Sequence, residues 1–410
     1  MKPETVGIIG GGASGMAAAI AAARCGDRVI LLEKQNQLGK KVSVSGNGRC
    51  NLLNSRPPVY YGDPAFAREV LGGDPAAESI AFWQGLGLRI RFDTEGRGYP
   101  CTFLAATVLD VLKAELCRLR VDLRTGTEAA DLRPEAEGAR IILSDGTELH
   151  ADRVILSTGG AAQPRLGGNE SAKPWLERLG HPMIPVRPAL VPLTAEKKAI
   201  SGLSGLRVKC GVAMETEAGV LLHREQGEML FTDTGVSGIC VMQCARFLPD
   251  HERAILRVDF LRDLYDSQEE LTDDLARRAR LFPAENPPAL LRGLCAGKLA
   301  YAVCKQAGLP LRGETSAQLT RDQLKRVAGA LRDYRIPLTG TEGPERAQVT
   351  AGGADCRFFR PENMESRLYP RLHATGELLN VDGDCGGYNL MFAFLSGIRA
   401  GANGRQEGNQ

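Results

Sequence analysis

The chain has 410 residues, 43% of them apolar, and its 51 lysines and arginines nearly cancel 49 aspartates and glutamates. An apolar fraction of this size with a net charge of +2 excludes a disordered chain and argues against a sequence-independent nucleic-acid binder. The 48 glycines exceed the roughly 29 of average usage, without a collagen period.

Length predicts two or three domains. The 11 cysteines contain no C-x-x-C pair, and the five histidines form no H-x-x-x-H. That usage points to a reducing compartment and away from a zinc site. Lys2-Pro3-Glu4 does not open a leader peptide, and no apolar run reaches the roughly 18 residues that span a membrane. The expectation is a soluble cytoplasmic protein.

Residues 5–10, TVGIIG, read as a buried strand. Gly10-x-Gly12-x-x-Gly15 follows at once, then an alanine-rich helix to Arg24, then a second strand over 28–34 that carries Glu33. This is the setting a dinucleotide fingerprint requires. Gly10 turns the chain, Gly12 lets backbone amides approach a diphosphate, and Gly15 lets helix and sheet pack closely. Glu33 accepts from a ribose hydroxyl and repels a 2′-phosphate, so FAD or NAD is expected rather than NADP.

Residues 39–54, GKKVSVSGNGRCNLLN, read as one loop rich in glycine, serine and asparagine. NAD would not need a second such element, whereas FAD would. An edge strand is expected at 128–132. A hairpin closed by Asp145-Gly146 leads into a buried strand ending at Thr158-Gly159-Gly160.

The dinucleotide pattern breaks over 191–345. Strands with turns at Ala218-Gly219 and Gln226-Gly227 are expected over 206–232, and another strand over 254–260. Helices are expected over 268–281, 288–307 and 320–333. The run ARRARL at 276–281 reads as a solvated helix face balanced by Glu269, Glu270, Asp273 and Asp274. Near the end, a short strand closes at Gly376-Glu377, with Glu377 placed for a ribityl hydroxyl. A loop of Gly383, Gly386 and Gly387 then precedes a buried helix over 390–400. Its N-terminus would stabilise negative charge on a flavin pyrimidine. No second GxGxxG module is present, so a nicotinamide would dock transiently over the flavin, or another donor is used, and the insert would cover the flavin.

Taken together, GGGASG, SGNGRCNLLN, STGG, TAGG (350–353) and GELLNVDGDCGGYNL resemble the BaiN/YhiN-like flavoproteins. These are NAD(P)/FAD-dependent oxidoreductases, also described as aminoacetone-oxidase-like. RPALVPL at 187–193 and GEMLFTDTGVSG at 227–238 extend the resemblance over nearly the whole chain.

The resemblance implies an α/β fold: a Rossmann-like FAD-binding domain, 1–190 and 346–410, interrupted by an insert at 191–345. The insert would hold a small β unit, about 191–262 and 335–345, and a helical cap, about 263–334. Gly10, Gly12, Ala13 and Ser14 would hold the diphosphate, with Glu33 and Lys34 at the adenosine ribose. Lys41, Ser45, Gly48, Arg49, Cys50 and Asn51 would run along the flavin, and Ala129 would meet the adenine. Gly159, Glu377, Gly387, Tyr388, Asn389 and Leu390 complete the set.

The implied reaction passes hydride from NADH or NADPH through FAD to a small organic acceptor. A conjugated C=C bond of a steroid or bile-acid-like molecule is one such acceptor. A flavoprotein acting on tRNA, or a non-catalytic FAD-binding sensor, are the alternatives. Neither a proton donor nor an oligomeric state follows from the residues. Three departures from the family pattern stand near the expected flavin: Asn47 for glycine, Asn380 for aspartate, and Met391-Phe392 in place of Gln-Trp.

Overall fold

The computed structural model describes residues 3–248 and 253–405. Strand β1 (Thr5–Ile9) is a β-branched run buried at every position but the first. Helix α1 (Ala13–Arg24) follows, built mostly of alanine, the residue that loses least entropy in a helix. It stops at Cys25, and Gly26 turns the chain at φ +88. Strand β2 (Arg28–Glu33) returns parallel to β1.

Residues 39–54 are more regular than the single loop expected. Lys40–Val44 form a short helix, α2, and Ser45–Gly48 a 3₁₀ turn. Gly39 at φ +70 starts the helix, and Leu53–Asn54 end the segment as a strand. Packing of Val42 in the core selects one helical turn. Helix α3 (Ala105–Arg118) then leads to strand β3 (Asp122–Thr125).

A three-stranded antiparallel sheet (129–135, 138–143 and 148–151) precedes strand β4 (Arg153–Leu156), which is buried throughout. Strand β5 (Leu372–Ala374) and helix α4 (Tyr388–Ala402) come from the far end of the chain.

The central sheet runs β5-β4-β1-β2-β3 with every pair parallel. Chain order reverses between β1 and β4, the switch point at which open α/β sheets bind ligands. Register sets Ile9 beside Leu32 and Leu156, and Leu156 beside Ala374. The carboxyl ends of four strands therefore share one row, and their loops emerge on one side. Helix α4 packs along α1 because Gly397 and Gly401 lie against the backbone of Ser14 and Ala18.

By contact, residues 1–188 and 347–410 form one unit and residues 189–346 another. The second unit contains a closed six-stranded barrel, and its longer α-helices lie at 268–281, 297–306 and 321–332. Two expectations need correction there, and one element was missed. No turn forms at Gln226-Gly227, because Leu221–Phe231 is one continuous strand in which Gly227 leaves room for Cys240. The helix expected over 288–307 is broken: Pro287–Leu291 form a 3₁₀ turn and the α-helix starts at Gly297. A short helix, Ile239–Cys244, was not foreseen.

Candidate functional site

The first glycine loop closes on itself. At Gly10, φ +109, any Cβ would overlap the carbonyl of Ser157, and at Gly15 it would overlap the carbonyl of Gly10. Gly12 differs: its Cβ would meet nothing within 4 Å. Open space therefore lies directly over the start of α1. That helix has no side-chain cap and no acid in its first turn, so its amide donors face the space unopposed. Ala13 and Ser14 form this first turn, Ser14 being buried beside Gly376.

Glu33 ends β2 at the same rim. Its carboxylate accepts from Gly11 N at 2.8 Å and Gln35 N at 2.7 Å, which ties it to the loop it was expected to serve. Each oxygen retains a second lone pair for a ribose hydroxyl. Lys34 is half-buried beside it. Thr127 N donates to the Glu33 carbonyl at 2.9 Å, so Ala129 starts its edge strand two residues from that contact.

The other expected residues come together across large distances in sequence. Lys41 Nζ lies 2.6 Å from Glu377 Oε2, and Glu377 Oε1 accepts from Thr350 N at 2.8 Å. Thr350 Oγ1 accepts from Ala162 N at 2.9 Å. This chain of contacts fastens α2, the loop after β4 and the turn after β5 into one wall. Glu377, expected to face a ribityl chain directly, is thus also a structural anchor. Thr350 was noted in sequence only as part of TAGG; no spacing rule singles it out. Gly159, φ +73, faces Lys41, whose Nζ is 3.8 Å from where a Cβ would stand.

The wall continues through residues 45–54. Ser45 Oγ donates to Val42 O, and Cys50 N donates to Ser45 O. Cys50 is fully buried, and burial pushes its thiol up to about 12, so it is no nucleophile at neutral pH. Arg49 is exposed, and a Cβ at Gly48 would meet nothing within 4 Å. Asn51 meets Gly387 edge on: a Cβ at Gly387 would come within 2.7 Å of Asn51 Oδ1. Gly387, φ +104, caps α4 without a side-chain bond. Asn389 clamps Gly383, accepting from its N–H and donating to its carbonyl at 2.8 Å each. Tyr388 is held by Tyr60, whose hydroxyl donates to the Tyr388 carbonyl at 2.8 Å, and Leu390 packs on the core.

Two buried side-chain atoms here have no protein partner, Asn51 Oδ1 and Thr158 Oγ1. A buried polar atom is costly to leave unpaired, so both fit a site completed by a polar ligand. Sequence reasoning passed over Asn54, Arg97 and Tyr99. Asn54 Nδ2 donates to Gly386 O at 2.9 Å, and a Cβ at Gly386 would stand 3.8 Å from Arg97 Nε.

A parallel sheet in this order, with glycine loops at its carboxyl ends, defines a Rossmann-type protein. The chain belongs to the HI0933-like Rossmann family, which it matches over residues 4–403. Among curated relatives it is 37% identical to the 3-dehydro-bile acid delta(4,6)-reductase of Clostridium scindens, over 97% of this chain and 98% of that one. It is 28% identical to the ribosomal RNA dihydrouridine synthase of Escherichia coli, over 95% of each. Among solved structures it is similar to a 3-ketosteroid-delta4-(5alpha)-dehydrogenase from Rhodococcus jostii in complex with 4-androstene-3,17-dione. That match has a TM-score of 0.49 and 16% identity, and covers 98% of this chain and 97% of that one. No helix among the described residues is long and apolar enough to cross a membrane.

Proposed function

We propose that the chain is an FAD-dependent oxidoreductase that saturates a C=C bond conjugated to a carbonyl, with a steroid-like enone as its substrate. The observation that carries this is open space over Gly12 at the uncapped start of α1, together with two buried side-chain atoms, Thr158 Oγ1 and Asn51 Oδ1, that have no protein partner. The residues present fit FAD. Gly10, Gly12, Ala13 and Ser14 would hold its diphosphate, and Glu33, Lys34 and the backbone near Ala129 its adenosine. Lys41, Gly159 and Glu377 would line the ribityl chain. Ser45, Gly48, Arg49, Cys50, Asn51, Gly387, Tyr388, Asn389 and Leu390 would surround the ring system. Bound FAD would supply hydride chemistry that amino-acid side chains lack. The chain's own part is to hold the ring against the α4 N-terminus, where orphan amides favour negative charge.

The names of the two curated relatives share one reaction. A 3-oxo steroid with 4,6 unsaturation and the uracil ring both carry a C=C bond conjugated to a carbonyl, and both are reduced. The higher identity favours the steroid-like substrate. The second reading is a uridine within RNA, supported by the 28% relative and by a groove of about 570 Å³ in residues 189–346 with Arg224, Arg257, Arg262 and Arg332 on its walls. Arg257 is already paired with Glu215 and Asp333, which lowers the groove's capacity for phosphate. NADH or NADPH is the proposed electron donor, docking transiently. Eleven free thiols fit a reducing, cytoplasmic setting.

Anaerobic stopped-flow reduction by NADH and NADPH, followed by reoxidation with a steroid dienone or with unmodified ribosomal RNA, tests this. Reduction and rapid reoxidation by the dienone are expected. Purified chain that shows no flavin spectrum after reconstitution would overturn the proposal; reoxidation by RNA alone would transfer it to the second reading.

A further inference from the structure

The turn joining the strand Arg97–Pro100 to α3 does something the central fold does not require. Phe103 adopts φ +54, a region that is costly for a bulky side chain. Its ring is 41% exposed, Leu104 next to it is 57% exposed, and Val44 at the end of α2 is 43% exposed. The turn is pinned: Phe103 N donates to Pro100 O and Cys101 N to Arg89 O, both at 2.8 Å. A strained backbone is thus held so that an aromatic ring stands in water, the opposite of what burial alone would select.

Phe103 is also not isolated. Its ring lies 5.6 Å from that of Tyr99, with the planes at 40°. The Tyr99 ring edge faces Gly46, 3.8 Å from the position of a Cβ, and the positive charge of Arg97 acts on the Tyr99 hydroxyl. Arg97 in turn faces Gly386. The exposed rings therefore begin where the two glycine-rich loops, 45–48 and 383–387, meet.

We propose that Tyr99, Phe103 and Leu104 form an apolar ledge that receives the flat fused rings of a hydrophobic substrate and directs its enone end to the glycine loops. This rests on the functional reading above and assigns it a substrate-contact surface. Phe103 and Leu104 carry no charge, so the outer part of the ledge suits a neutral ring system. Strain at Phe103 gives the inference a signature that ordinary surface packing would not produce.

The test is equilibrium dialysis of 4-androstene-3,17-dione against the full chain, with and without FAD, for the parent protein and for Phe103→Asn and Leu104→Ser. Asparagine tolerates the left-handed region, so Phe103→Asn is expected to keep or raise the Tm. Steroid binding is expected to weaken at least tenfold in each variant, as truncation of a buried apolar anchor does. FAD affinity should stay within twofold. Steroid affinity unchanged in both variants, no steroid binding by the parent, or a parallel loss of FAD affinity would each overturn the ledge. An RNA oligonucleotide bound by the parent and weakened by the same variants would also overturn it. Failure of the functional reading looks different: steroid is bound, with the variants weakening it, yet no flavin is held or reduced.

Discussion

Gly12 and Gly15 stand three residues apart in one motif and do different work. A Cβ at Gly15 would overlap the Gly10 carbonyl, whereas one at Gly12 would enter open space at φ −81, which any residue adopts. Gly15→Val should therefore destabilise the fold by about 1–3 kcal/mol, the usual cost of overpacking. Gly12→Val should leave the Tm within about 2 °C and weaken FAD binding about a hundredfold or more, since the side chain would occupy the diphosphate's space. Thermal unfolding and flavin titration of the two variants check this; equal Tm losses would show that the space over Gly12 is not a ligand's. The close packing at Gly15 was legible in the sequence, and so was the expectation that Gly12 faces a ligand, because strand, helix and acid surround the motif. Thr350, Asn54 and Tyr99 were not. Each acts on groups far away in the chain, and no local spacing announces it.

At the scale of elements, α4 is the least local feature of the site. Its position depends on Gly397 and Gly401, which bring its backbone against Ser14 and Ala18 of α1. Small residues at i and i+4 on both helices permit this approach. The sequence marked the helix as buried because it is apolar on nearly every side. It did not mark the partner, since apolar residues all round carry no direction. Gly401→Leu should lower stability by about 1–3 kcal/mol. Gly397→Leu should do the same and also weaken FAD binding, because Ser14 belongs to the first turn of α1, at the proposed diphosphate. A Gly397→Leu protein with a lowered Tm and unaltered flavin affinity would separate the helix contact from the site. The segment 40–48 teaches a related lesson. It reads in sequence as part of one loop, yet burial of Val42 selects a helical turn over 40–44, which ends before Gly46 and Asn47 at positive φ.

For the whole molecule, buried histidine sets the acid limit. His373 is fully buried, donates from Nδ1 to the Asn363 carbonyl at 2.8 Å, and has no partner at Nε2. Burial first, and then Arg153, push its pKa down to about 3. Burial also lowers His181. The unfolded chain binds these protons near pH 6.5 and the folded chain does not. Stability is therefore full above about 6.5 and falls as pH drops toward 3, by up to ~1.4 kcal/mol per pH unit for His373. Asp131, Asp274 and Asp355 are held below the usual carboxylate range, so their loss begins only below about pH 4. Urea unfolding between pH 7 and 4 should show the decline, and His373→Gln should flatten it; a flat parent profile over that interval would contradict the burial argument.

Sequence alone sufficed for the Rossmann unit, the first glycine loop, the acid after β2 and the helix that opens at Tyr388. Each of these is encoded by contiguous residues whose periodicity, turn chemistry and capping agree. Folding had to decide which distant loops meet. The Lys41–Glu377–Thr350 chain and the approach of Asn51 to Gly387 exist only because parallel strands in register gather their carboxyl ends in one row. Contacts of that kind depend on the order of strands in the sheet, and no window of sequence contains that order.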